Sequence, residues 1–178
     1  MNRETFIAKF FISPKVVACP ETEGSRFNDG AFRLGLRCGP TKDDITALMH
    51  EMSHFVEIDR RRMNKTGWGF KYGKYWECNG QSGYDPSTNQ ASKREARVFA
   101  IQYHLEKSIG LNRDVLTDYA PTFHYMGDCY YIANSYDSSQ MEKTVTDWIH
   151  ENIKLYSLEW FEHEWFDRLK KFRLPKRN

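Results

Sequence analysis

The sequence predicts an α+β fold in which a small twisted β-sheet packs on a helix carrying His50-Glu51-Met52-Ser53-His54. A second ligand-bearing helix and a long C-terminal helix complete it. Three observations lead there. The segment AFRLGLRC alternates apolar and polar residues with the period of a half-buried strand. The run TKDDITALMHEMSHFVEIDRRRM carries an apolar stripe at helical spacing, and two more helical periods follow a Gly-rich aromatic stretch.

The elements follow in chain order. Thr5 to Ile12, TFIAKFFI, is rich in β-branched and aromatic residues and reads as a strand. Asn28-Asp29-Gly30 is a turn signal. The next strand puts Phe32, Leu34, Leu36 and Cys38 on one face and Arg33, Gly35 and Arg37 on the other, and Gly39-Pro40 closes it. Thr41 is an N-cap residue with Asp43 and Asp44 behind it, where the helix dipole favours acids. Ile45, Leu48, Met49, Met52, Phe55 and Val56 form the buried stripe of that helix. Thr66 to Gln90 has no helical period and reads as a long loop or short hairpin, of a length that is often functional. A second helix spans about Ser92 to Ser108, with Gly110 as the residue that ends it. Leu111 to Asp137 is mixed, with a short strand at Tyr130-Tyr131-Ile132. A third helix opens at Ser139, whose capping partner is Glu142. It carries Val145, Trp148, Ile149, Ile153, Tyr156, Trp160 and Phe161 and extends or resumes to about Phe172.

Composition fits one domain over residues 1–178, long enough to bury roughly 70% of the surface of its unfolded chain. With 40% hydrophobic and 28% charged residues the chain is neither disordered nor fibrous, and five Trp and ten Tyr point to a core of large rings. No run reaches the length of a membrane span, and the N-terminus lacks the order of a signal peptide. Cys19, Cys38, Cys78 and Cys129 form no C-x-x-C pair and read as free thiols, so the expected location is the cytoplasm. A net charge of +2 gives no steer toward nucleic acid. The basic tail over residues 168–178, RLKKFRLPKRN, reads as a solvated segment, and a nucleic-acid partner is not predicted from it.

The chemistry centres on the two histidines. Residues i and i+4 of a helix can aim both imidazoles at one tetrahedral ion, and Glu51, one position on from His50, can reach a water beside it. The bland alternative is two hydrogen-bonded helix histidines with a solvated carboxylate between them. A zinc ion needs a third protein ligand. Downstream stand Glu57, Asp59, Glu77, Asp85, Glu95, His104, Glu106, His124 and Glu142. Glu57 lies two turns from His50 along the axis and Asp59 is on the wrong side. His104 faces away from Glu95. Glu95 is best placed, in the first turn of the next helix, but Ser92-Lys93-Arg94-Glu95 is also a capping box that would hold Glu95 at its own helix start.

HEMSH followed by Glu95-Ala96-Arg97-Val98-Phe99-Ala100 resembles the ImmA/IrrE family of small zinc peptidases, whose pattern is H-E-x-x-H and then E-A-x-x-F-A. The resemblance covers about a third of the chain. It implies a gluzincin-type metallopeptidase with Zn2+ held by His50, His54 and Glu95, acting on a protein or peptide substrate. Thr66-Gly67-Trp68-Gly69-Phe70 bears a weaker similarity to the SprT-like proteases, but Thr66 or Trp68 stands where their third ligand would be. On this reading Glu51 is the general base, and Tyr103, His124, Tyr125 or Tyr130 would assist at the oxyanion. The strand Phe32 to Cys38 would offer a free edge to an extended substrate. The reading from another class is a non-catalytic zinc-binding module that engages a protein or nucleic-acid partner.

Overall fold

The structure is a computed structural model, which describes residues 1–10, 16–19, 26–28, 31–35, 44–63, 90–119 and 138–172. Helix α1 spans Arg3–Phe10, α2 Asp44–Glu57, α3 Gln90–Ser108, α4 Ser138–Ile153 and α5 Leu158–Lys171, with a π-helical turn at Val115–Tyr119. Strands β1 (Val16–Cys19), β2 (Arg26–Asn28) and β3 (Ala31–Gly35) form a small ribbon in the order β1-β3-β2.

The fold class is therefore helical, which corrects the expected α+β arrangement with a sheet as one layer. The physical reason lies in where the apolar mass is. Among the described residues no strand exceeds five residues, and the described core is built from helices and the turns beside them. The larger cluster joins Phe6 and Phe10 of α1, the stripe of α2, Ile101 and Leu105 of α3, and Phe161 and Trp165 of α5. The smaller one joins Ala96 and Phe99 of α3 to Val115, Tyr119 and Ile149. Helix α3 thus serves both clusters, packed between α2 and α4.

The segment expected as a strand at Thr5 to Ile12 is helical as far as Phe10, and its last two residues lie outside the described residues. Asn2 caps it: its side-chain oxygen accepts from the Thr5 N–H at 2.8 Å and its carbonyl from Phe6 at 2.9 Å. The buried positions, Phe6 and Phe10, are four apart while Ala8 is exposed, which is a helical period and not a strand's. Local capping and that spacing outweigh the β propensity of the aromatic residues.

Helix α2 buries every residue of its predicted stripe, from Ile45 through Leu48, Met49, Met52 and Phe55 to Val56. Its C-terminal end is held by Arg168 of α5, whose buried guanidinium donates to the carbonyls of Phe55, at 3.0 Å, and Ile58. Glu164 accepts from Arg168 at 3.1 Å and from Arg60 at 3.0 Å, tying the turn after α2 to α5.

Helix α3 starts at Gln90, two residues before the expected cap. It ends as Gly110 predicts: the Gly110 N–H bonds Lys107 O and the Leu111 N–H bonds Glu106 O, with Gly110 at φ +87°, the left-handed residue of a Schellman motif. The expected long C-terminal helix is two helices. The chain leaves α4 at Lys154-Leu155, and Ser157 restarts it as an N-cap whose hydroxyl accepts from Trp160 N–H at 3.1 Å. The loop expected at 66–90 and the strand at Tyr130-Tyr131-Ile132 lie outside the described residues, except for Gln90 itself. So do residues 173–178 of the basic tail. Among the described residues no helix is long and apolar enough to cross a membrane.

Candidate metal centre

The site forms where one face of α2 meets the first turns of α3. On α2 the apolar stripe faces the core, which leaves His50, Glu51 and His54 directed toward α3. On α3, Glu95, Phe99, Gln102 and Glu106 recur at i, i+4, i+7 and i+11 and share a face. Phe99 lies against the His50 ring, with centroids 5.1 Å apart.

Three donor atoms converge. His50 Nε2 and His54 Nε2 are 3.1 Å apart, and Glu95 Oε2 is 3.7 Å from the first and 3.4 Å from the second. Donors about 2.0–2.1 Å from a tetrahedral zinc stand roughly 3.3 Å apart, so these distances are close to one face of that tetrahedron. Glu95 Oε2 is buried and has no hydrogen-bond partner. An orphaned carboxylate oxygen facing two imidazole nitrogens is costly unless a proton or a cation is shared among them. Two imidazoles and one carboxylate are also the donor set that zinc takes with one position left open. The residues present fit the ion.

Electrostatics agree. Burial lowers the pKa of His50, and burial, His50 and Arg94 lower that of His54 well below its ordinary value, so both rings are neutral and carry a free lone pair. Neutral rings make no ion pair with Glu95 despite the short distances. Burial pushes Glu95 up to about 7, with Arg94 opposing and Glu57 adding to the rise. Glu51 is only 5% exposed and is pushed up to about 8, by burial first and then by Glu95. Glu51 is thus a buried carboxyl and not the solvated one of the bland alternative.

The competing roles of Glu95 separate cleanly. Because α3 begins at Gln90, Ser92 lies inside the helix and cannot be its cap, and Glu95 is turned to the histidines. Glu57 takes no part in the donor cluster: it pairs with Arg94 at 2.7 Å and Arg97 at 2.7 Å. Asp59 pairs with Arg61, and His104 Nε2 meets Ile153 O at 2.8 Å on the α4 side of α3. Tyr103 packs against the smaller cluster. Glu77, Asp85, His124, Tyr125 and Tyr130, and the side chain of Glu142, lie outside the described residues.

The proposed substrate edge is corrected. β3 pairs with β1 in parallel, from Val16↔Phe32 to Cys19↔Gly35, and with β2 antiparallel, from Arg26↔Arg33 to Asn28↔Ala31, so both edges are taken at Phe32 and Arg33; Leu36 to Cys38 lie outside the described residues.

No family model matches the chain, and no curated protein and no solved structure matches it. The resemblance to the ImmA/IrrE family rests on the two sequence blocks and the strand before the first.

Sequence reasoning missed the supports behind the donors. His50 Nδ1 lies 2.9 Å from Gln102 Oε1, Gln102 Nε2 donates to Glu106 Oε1 at 2.7 Å, and Tyr119 Oη donates to Glu106 Oε2 at 2.7 Å. The signal was present in the spacing: Gln102 and Glu106 fall on the Glu95 face of an otherwise readable helix.

Proposed function

We propose that the chain is a zinc-dependent peptidase acting on a protein or peptide substrate in the cytoplasm. The convergence of His50, His54 and Glu95, with the buried carboxyl of Glu51 beside it, carries the reading. His50 and His54 would each give a neutral Nε2 lone pair, and Glu95 a carboxylate oxygen. Zinc, when bound, would supply Lewis acidity toward the scissile carbonyl and a positive charge that favours the ionised form of nearby carboxyls.

The chain's own part is proton handling. Glu51 takes a proton from the water that attacks the carbonyl carbon and delivers it to the departing amine nitrogen. Burial raises Glu51 to about 8 in the metal-free chain, and the charge of bound zinc would shift it toward the ionised form that accepts the proton. A site meant only to brace the fold has no use for a buried, ionisable neighbour of this kind.

The test is Glu51→Gln, read against a broad peptide library. The variant should keep one zinc per chain while hydrolysis falls at least ~10²-fold, as for loss of a general base. Equal hydrolysis by parent and variant refutes the role of Glu51. A parent that binds zinc and cleaves nothing favours the non-catalytic module.

A further inference from the structure

Behind His50 runs a chain of hydrogen bonds with a definite direction. It starts at Glu106, a carboxylate with no exposed surface, whose two oxygens accept from Gln102 Nε2 and Tyr119 Oη. Burial raises the Glu106 pKa, while the hydrogen bonds from Tyr119 and Gln102 and the guanidinium of Arg113, whose Nε is 3.5 Å from Oε2, act against burial and favour the anion. A carboxylate can only accept, so the Gln102 amide must present its NH2 to Glu106 and its oxygen to His50. Gln102 is itself 4% exposed, so water does not offer its amide an alternative partner. Facing an oxygen at 2.9 Å, His50 Nδ1 must carry the ring proton, and Nε2 is left bare toward His54 and Glu95.

We infer that Glu106, acting through Gln102, is a positioning residue that fixes the Nδ1–H tautomer of His50 and so keeps Nε2 ready to ligate. The inference rests on the metal-site reading for its purpose, but the tautomer itself is a property of the metal-free chain. Glu106 does not touch the donor cluster; its effect reaches His50 only because an amide cannot donate and accept at the same atom.

The variant that isolates direction from packing is Glu106→Gln. It keeps the shape and allows every hydrogen bond to be made, yet permits the chain to run backwards. Its amide NH2 can donate to Gln102 Oε1 while its oxygen accepts from Tyr119 and faces Arg113. Gln102 then donates to His50 Nδ1, and the ring proton moves to Nε2. A role in packing alone would leave the tautomer untouched.

The experiment is long-range proton–nitrogen NMR of the imidazoles in the full-length, zinc-free protein, paired with zinc affinity by chelator competition. The parent should show His50 protonated at Nδ1. Glu106→Gln should move most of that proton to Nε2 and weaken zinc binding by about 10- to 100-fold, the usual effect of disturbing a ligand's outer partner. A parent protonated at Nε2 overturns the inference, and needs no variant to show it. So does a Glu106→Gln protein that keeps the Nδ1 proton, or one that moves it with zinc affinity unchanged. If the tautomer moves as expected but the parent binds no zinc, the relay stands and the metal reading fails.

Discussion

Glu51 is buried and Glu95 partly buried, near enough for the charge of Glu95 to raise Glu51, and each stands above its ordinary pKa of 4.5, which makes the metal-free protein sensitive to base. A carboxyl raised on folding binds more protons in the native than in the unfolded state, so stability falls as pH rises through the window between the two values. The histidines act in the opposite sense. Their lowered pKa values cost stability as pH falls below 6.5, where the unfolded chain gains protons and the native one does not. Above 6.5 the remaining histidine contribution is small beside that of the two carboxyls, which set the slope. The chelated protein should therefore melt at a lower temperature at pH 8 than at pH 6.5, and zinc should raise the melting temperature more at pH 8. A flat or rising melting temperature over that interval contradicts the burial assigned to the two carboxyls. Glu51→Gln should reduce the slope, because one of the two titrating groups is gone. At this scale the sequence was informative about His50, Glu51 and His54, since their spacing is itself the chemistry. It did not reveal the relay, although Gln102 and Glu106 share the Glu95 face of α3, because the spacing within one helix does not say what a neighbouring helix brings to that face.

Helix α2 holds the histidines in place only if its own C-terminal end is fixed, and Arg168 does that from a helix more than a hundred residues away. Replacing it by methionine keeps much of the volume but strands the Phe55 and Ile58 carbonyls and leaves Glu164 without one of its cations. Arg168→Met should cost ~3 kcal/mol in urea unfolding at fixed pH, in the range for an unmade buried hydrogen bond to a charged group. A change below ~1 kcal/mol means water replaces the guanidinium. Gly110 offers a gentler check. A Cβ there meets nothing within 4 Å, so Gly110→Ala should cost only the left-handed backbone conformation, about 1–2 kcal/mol. Elements were legible where a local device announces them, as Gly110 does for the end of α3 and the apolar stripe does for α2. They were misread where propensity and capping disagree. TFIAKFF looks extended by composition, while Asn2 and the Phe6–Phe10 pair make it helical. Whether the helix extends or resumes after Ile153 was left open because the apolar period runs across the break, from Ile149 through Tyr156 to Phe161, and only Ser157 marks the restart.

At the scale of the whole molecule the richness in rings predicted the kind of core, with Phe6, Phe10, Phe55, Phe161 and Trp165 at its centre, but not the layers around it. Alternation in AFRLGLRC is a true strand signal over Ala31–Gly35, and the inference from it to a sheet layer failed because the described strands are three short ones of at most five residues, while the described core is built by helices. The helical core instead presses α2 against α3, and that contact alone assembles a donor set whose members are separated by 45 positions in sequence. The most direct test of that assembly is X-ray absorption at the zinc edge on full-length protein loaded with zinc and dialysed. One zinc per chain is expected, with two imidazole nitrogens and oxygen donors at about 2.0–2.2 Å, and stoichiometric zinc should be lost in His54→Ala. Failure of the protein to retain zinc, or a spectrum with sulfur in the first shell or fewer than two imidazoles, would contradict it.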